Sequence, residues 1–267
     1  MNFAHSLKRL LRPMYKKMLS ITGERPLYGK MAVRDCFEDV EHLVKADSPL
    51  IVDGGAYKGD TVQAFLDRFP SANIIAFEPN PMLVEKLEKR FVLYPNVQIV
   101  SKALGPVSKT VRINVGAFDA TSSLLQPSSI GRQIHKERIE VVRRVEVESV
   151  RLDEVLTQRP IDVLKLDLPG YELEALKGAE RALSRVKVIL TEVAFVRMYE
   201  DGVLFSELDL MLRSKGFDFL NFYDLYTQST GQLTAGDAIF FNSRFYERRF
   251  EGTVFCSPRA ESTGKTK

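Results

Sequence analysis

The chain has 267 residues, 45% of them hydrophobic, which is ample apolar material for one large domain or two small ones. Its 38 basic and 35 acidic residues are interspersed and leave a formal charge of only +3, so there is no strongly basic footprint of the kind that binds nucleic acid. The two cysteines, Cys36 and Cys256, lie far apart without Cys-x-x-Cys spacing, which argues against a disulfide framework and a structural zinc site and fits a reducing cytoplasm.

No apolar run reaches the ~18 residues that suggest a membrane-spanning helix, and the N-terminus carries no apolar signal core, so a soluble protein is expected. Residues 1–49 read as a helical extension. Within its first 20 residues, Phe3, Leu7, Leu10, Leu11, Met14, Met18 and Leu19 recur at helical spacing beside Lys8, Arg9, Arg12, Lys16 and Lys17. Such a basic amphipathic helix either packs on its own domain, the commoner use, or lies on a membrane surface. A Gly- and Pro-containing link from Gly23 to Gly29 leads to a second amphipathic stretch, Asp35 to Lys45, which either caps a substrate pocket or packs against a sheet edge.

The organising stretch is Leu50 to Asp60. Leu50, Ile51 and Val52 are apolar in succession, as in a parallel strand covered on both faces, and Asp53 ends the run. Gly54, Gly55 and Gly59 follow at once, permitting positive φ and close approach of a ligand to the backbone at the start of the next helix. The spacing Asp53-x-Gly55-x-x-x-Gly59 does not match the dinucleotide fingerprint Gly-x-Gly-x-x-Gly. An acid at the strand end suits the amino group of S-adenosylmethionine better than a pyrophosphate, which it would repel. The bland alternative is a tight strand-to-helix turn with no ligand.

Thr61 to Phe69 is expected as a helix stopped by Pro70, and Asn73 to Phe77 as the next buried strand. Glu78 then stands at a strand end 19 residues beyond Gly59, where a carboxylate can accept hydrogen bonds from both hydroxyls of a ribose. Met82 to Phe91 reads as a helix and Val97 to Ala103 as a third strand, which puts Ser101 and Lys102 near an adenine. Gly105 to Val115 reads as a strand pair or an extended arm, followed by a polar stretch containing His135, a strand over Val141 to Leu152 and the start of a helix at Asp153.

Ile161 to Leu168 is the second informative strand, because a buried parallel strand seldom carries Lys165 and Asp167 unless they reach its C-terminal end, where ligands bind in open α/β sheets. Pro169-Gly170 turns into an expected helix from Tyr171 to Ala182, and Val186 to Val193 is a further strand with Glu192 near its end. A helix over Phe205 to Lys215 and antiparallel strands over Phe217 to Tyr223 and Asp237 to Asn242 complete a set of about seven core strands. The expected domain spans 50–246, and the polar tail 247–267 is expected to be disordered.

These residues, in this order, resemble the FkbM-type family of class I S-adenosylmethionine-dependent methyltransferases over about Leu50 to Asn242. The resemblance is carried by Asp53 to Gly59, Phe77-Glu78-Pro79-Asn80-Pro81, Ser122-Ser123-Leu124, Val150-Arg151-Leu152-Asp153, Leu164 to Glu172, Leu176-Lys177-Gly178-Ala179 and Glu192. It implies an α/β fold with a Rossmann-like, seven-stranded, mostly parallel sheet flanked by helices, the class I methyltransferase fold. It also implies S-adenosylmethionine as methyl donor and O-methylation of a sugar, polyketide or similar small hydroxylated acceptor. Two departures stand out: Tyr57 occupies a position usually held by asparagine, and Pro169 one that is often polar or acidic.

For methyl transfer from a sulfonium to a hydroxyl, a base within reach of the hydroxyl helps, and the candidates are Asp167, Glu192 and His135, with Asp167 preferred because its strand aims it at the cofactor. The cofactor set is Asp53, Gly54, Gly55, Gly59, Glu78 and Ser101. No metal is required: three histidines without His-x-x-x-His give no transition-metal pattern, although Asp167 and Glu192 are the pair that would chelate magnesium. A nucleic-acid acceptor is disfavoured, since the strand ending in Asp167 lacks the Asn/Asp-Pro-Pro-Tyr/Phe sequence. The competing readings are an NAD-dependent oxidoreductase and a non-catalytic S-adenosylmethionine-binding module.

Overall fold

The computed structural model describes residues 35–156 and 158–246. The expected basic helix over Phe3 to Leu19, the Gly23 to Gly29 link and the tail 247–267 lie outside the described residues. Ten strands are present: β1 Leu50–Gly54, β2 Asn73–Phe77, β3 Val97–Val100, β4 Ala103–Leu104, β5 Lys109–Gly116, β6 Val141–Val150, β7 Ile161–Leu166, β8 Val186–Ala194, β9 Phe217–Thr227 and β10 Leu233–Asn242. The α-helices are α1 Cys36–Val44, α2 Asp60–Arg68, α3 Pro81–Arg90, α4 Ser129–His135, α5 Leu152–Val155, α6 Glu172–Lys177 and α7 Phe205–Ser214.

Seven strands form one sheet in the order β3-β2-β1-β7-β8-β10-β9. The first five run parallel, and β10 pairs antiparallel with both β8 and β9. The sheet is therefore the seven-stranded, mostly parallel one expected from the sequence. Strand order reverses between β1 and β7, and a ligand crevice opens outside the carboxyl ends of the strands at such a point.

Both faces of the sheet are covered, which is why its strands read as unbroken apolar runs. Successive residues point to opposite sides: Val52, Leu164, Ile189 and Phe240 pack with α5, α6 and α7, while Ile51, Val163, Val188 and Ile239 pack with α1, α2 and α3. Helix α1, capped by the Asp35 carboxylate accepting from Phe37 N, inserts Val40, Leu43 and Val44 into that second layer. The stretch expected to cap a pocket or lie on a sheet edge thus packs on the sheet's face.

A second, three-stranded sheet has the order β4-β6-β5 and a small core of Ala103, Ile113, Val115 and Val147. The strand expected over Val97 to Ala103 is split between the two sheets. It leaves the large sheet after Val100, Lys102 N turns back onto Val100 O at 2.8 Å, and the buried Ala103 and Leu104 join β6. The helix expected to reach Ala182 ends at Lys177, and the Gly178 that follows passes so close to the Gly105 carbonyl that a Cβ would stand 2.0 Å from its oxygen. Among the described residues, no helix is long and apolar enough to cross a membrane.

Candidate active site

The turn after β1 sits where three strand ends meet. Gly55 N and Ala56 N both donate to Phe77 O at the end of β2, and Asp167 N, just past β7, donates to Gly54 O, all at 3.0 Å. Gly55 has φ of 81°, and a Cβ there would lie 2.0 Å from the Asp167 carbonyl oxygen, so both conformation and space require glycine. Tyr57 follows at φ of 52°, in the left-handed region that a bulky residue seldom occupies, and Gly59 at φ of 84° opens α2.

Asp53 lies beneath this turn and is not part of a cavity wall. Its carboxylate is fully buried and ion-paired to Lys165, with Nζ 2.9 Å from Oδ1. The Lys165 ammonium also donates to Gly55 O at 3.0 Å and stands 3.6 Å from Asp167 Oδ2. Burial works against its charge, but the carboxylates of Asp53 and Asp167 outweigh that and hold the proton above the usual lysine range. The cation expected to approach Asp53 from a ligand is thus supplied by the protein. Lys165 is the Cα partner of Asp53 across β1 and β7, so their side chains share one face of the sheet.

Glu78 leaves the end of β2 into the crevice. Its Oε2 accepts from Tyr57 N at 2.9 Å and its Oε1 from Asn80 N at 2.8 Å, leaving lone pairs on both oxygens for a ligand. Burial pushes its pKa up to about 7 against the pull of those two backbone bonds.

Glu78, Gly55 and Tyr57 line a cavity of about 710 Å³, part of it open to solvent. Leu83, Ala103, Leu104 and Ile113 are apolar parts of the lining, and Asp167, Leu168, Pro169 and Tyr171 line it too, with Asp119 to Leu124 of the arm apart from Thr121. The arm is tied down by Ser123 Oγ donating to Pro169 O at 2.7 Å and by Tyr199 Oη donating to Thr121 O at 2.8 Å. This explains why Ser122-Ser123-Leu124 belongs with the strand-end residues despite its distance along the chain.

Of the expected site residues, the structure brings Gly55, Glu78 and Asp167 into one cavity wall, with Gly54 and Gly59 shaping the turn. Ser101 is exposed and lies outside the lining residues; Ala103 and Leu104 stand there in its place. His135 ends α4 with Nε2 2.8 Å from Met198 Sδ, and burial followed by the Arg138 charge pushes its pKa down. It is not in the cavity wall.

Glu192 lies on β8 directly across from Asp237 of β10. Burial, then the charges of Asp167, Glu172 and Asp237, raise the Glu192 pKa well above the carboxylate range, and burial lifts Asp237 to about 7. Glu172, at the start of α6, accepts from Leu168 N at 3.0 Å, and its burial moves it to about 8. Among the described residues, no group of three or more His, Cys, Asp or Glu is arranged to hold a metal ion.

These raised carboxyls make stability pH-dependent. Glu172 keeps its proton in the native protein until about pH 8, whereas an unfolded glutamate releases it near pH ~4.3. Between those values the native state binds the extra proton, so this group's stabilising share is present at low pH and is lost as pH rises. Glu172→Gln, which keeps an acceptor for Leu168 N, is therefore expected to gain stability relative to the wild type as pH rises from about 5 to about 8.5. Urea unfolding across that range checks it, and parallel curves would rule out the elevated pKa.

A family model described as the methyltransferase FkbM domain matches residues 53–219. The chain is 27% identical over 218 residues to methyltransferase sdnD of Sordaria araneosa, covering 72% of this chain and 81% of that protein. It is 24% identical over 183 residues to the 2-O-methyltransferase NoeI of Sinorhizobium fredii (63% and 73% covered), and 28% identical over 127 residues to the hexuronic acid methyltransferase AglP of Haloferax volcanii (46% and 47%). Among solved structures it is similar to precorrin-6y C5,15-methyltransferase from Geobacter metallireducens GS-15, with 12% identity, 80% and 92% of the two chains covered and a TM-score of 0.46. The family match begins at Asp53 beneath the turn, runs through both walls of the cavity and ends in β9, and the chain belongs to the FkbM family of methyltransferases.

Proposed function

We propose that the protein transfers a methyl group from S-adenosylmethionine to a hydroxyl of a small molecule such as a sugar or polyketide, in the cytoplasm. The observation that carries this reading is Glu78: a buried carboxylate at the end of β2, between a glycine turn and an apolar recess, with lone pairs left for two hydroxyl donors. A ribose held there leaves the adenine to Leu83, Ala103, Leu104 and Ile113, and the aminoacyl side to Gly55 and Tyr57. The cradle fits because the glycine turn leaves room at its backbone and, among the described residues, the lining side chains include no lysine or arginine.

When bound, S-adenosylmethionine supplies a methyl group activated by its positively charged sulfur. The chain's own residues orient the acceptor, exclude water and take a proton. Asp167 is the base in this reading, since its carboxylate is half-exposed in the cavity wall and steadied by Lys165 at 3.6 Å. The names of NoeI and AglP, a 2-O-methyltransferase and a hexuronic acid methyltransferase, support a sugar-like acceptor.

Incubation with methyl-labelled S-adenosylmethionine and a metabolite extract tests this. Label is expected in small molecules and to survive mild alkali, as a methyl ether does; label confined to nucleic acid or protein would contradict it. Glu78→Ala is expected to weaken binding of S-adenosylhomocysteine, the demethylated product, by about 1.5–3 kcal/mol, the range for charged hydrogen bonds. Unchanged affinity by calorimetry would refute the ribose role.

A further inference from the structure

Tyr57 stands in the turn after β1, and the fold holds it at a cost. A non-glycine residue in the left-handed region is disfavoured, asparagine much less so than tyrosine, yet Tyr57 sits there at φ of 52°. Its backbone is pinned by the bond from its N–H to Glu78 Oε2 at 2.9 Å, and the residue is among those lining the cavity. Strain of this kind at a cavity wall points from geometry to use. The ring already attracts a cation: the Lys58 ammonium, on an otherwise exposed side chain, lies 4.8 Å from the ring centroid.

We infer that Tyr57 makes the site select the positively charged methyl donor over its neutral product. This rests on the proposed S-adenosylmethionine site. With the ribose on Glu78 and the adenine in the apolar recess, the sulfur is one carbon beyond the ribose ring, on the side away from the base. The backbone N–H of Tyr57 is hydrogen-bonded to the same Glu78 carboxylate and the residue lines the same cavity, and in this inference its aromatic ring stands beside that sulfur. The face of a tyrosine ring attracts a sulfonium electrostatically, and the attraction strengthens as water is excluded. A thioether carries no charge and gains little from it. Transfer of the methyl group therefore removes the attraction and favours release of the product.

The test is calorimetric titration of the whole chain with S-adenosylmethionine and with S-adenosylhomocysteine. Tyr57→Asn removes the ring and leaves a residue suited to the left-handed backbone, so folding is kept. Its preference for the charged ligand is expected to fall by roughly 3- to 30-fold, the span of a cation–π contact, with affinity for the neutral one changed less than about twofold. Tyr57→Phe keeps the ring and is expected to keep the wild-type preference. A preference unchanged in Tyr57→Asn, or both ligands weakened equally, would overturn the role of Tyr57 while leaving the site assignment intact. Failure of the wild type to bind either ligand would overturn the assignment and this inference together.

Discussion

Replacing Asp167 with asparagine is expected to lower methyl transfer by about 10²- to 10⁴-fold while leaving affinity for S-adenosylhomocysteine within about twofold of the wild type. An alcohol is a poor nucleophile, and its proton must leave as the new carbon–oxygen bond forms. Asp167 is the carboxylate at the end of β7 that both lines the cavity and retains half its exposure, so it can meet a substrate proton. Asparagine fills the same space and keeps the neighbouring backbone bond from residue 167 N to Gly54 O, but it accepts no proton. Glu192 is the weaker candidate because burial and three acidic neighbours favour its protonated form. His135 is weaker still, engaged at the Met198 sulfur and absent from the cavity wall. Steady-state kinetics with an identified acceptor decides the matter: a fall in kcat with KM nearly unchanged supports the base, and wild-type turnover eliminates it.

The second large effect is on stability. Lys165→Met leaves the Asp53 carboxylate fully buried beside no cation and strips Gly55 O of its donor, and removing one partner of a buried pair costs about 3–5 kcal/mol. For a domain of this size that corresponds to a Tm lowered by roughly 6–20 °C. Asp53→Asn with Lys165→Met removes both charges, and the double variant is expected to be more stable than Lys165→Met alone by at least about 1 kcal/mol. Thermal and urea unfolding measure both. Strict additivity of the two substitutions would mean that the two groups do not act as a pair.

That pair also marks where reading a chain in one dimension ends. The glycine turn, Glu78 and Asp167 are legible because each depends on local features: positive φ wants glycine, and a carboxylate that closes a buried apolar run stands at the strand end, where ligands bind in open α/β sheets. The partnership of Asp53 and Lys165 depends on β1 and β7 lying side by side, which the spacing within either strand does not encode. The same is true of Glu192 and Asp237, brought opposite each other by the antiparallel return of β10. Counting along one strand points to Ser101 for the adenine end, but the chain changes sheets at Lys102 and puts Ala103 and Leu104 in the wall. Helix α1 was recognisable as amphipathic, but only the packed sheet tells which surface its apolar stripe covers.

The central claim is that the crevice between the β1 turn and Glu78 accepts a sulfonium nucleoside. Calorimetric titration of the purified protein with S-adenosylmethionine, and separately with NADH, tests it most directly. Saturable binding of S-adenosylmethionine at one site per chain, weakened in Glu78→Ala and without a matching signal from NADH, is the predicted result. Binding of NADH with no heat from S-adenosylmethionine would contradict it.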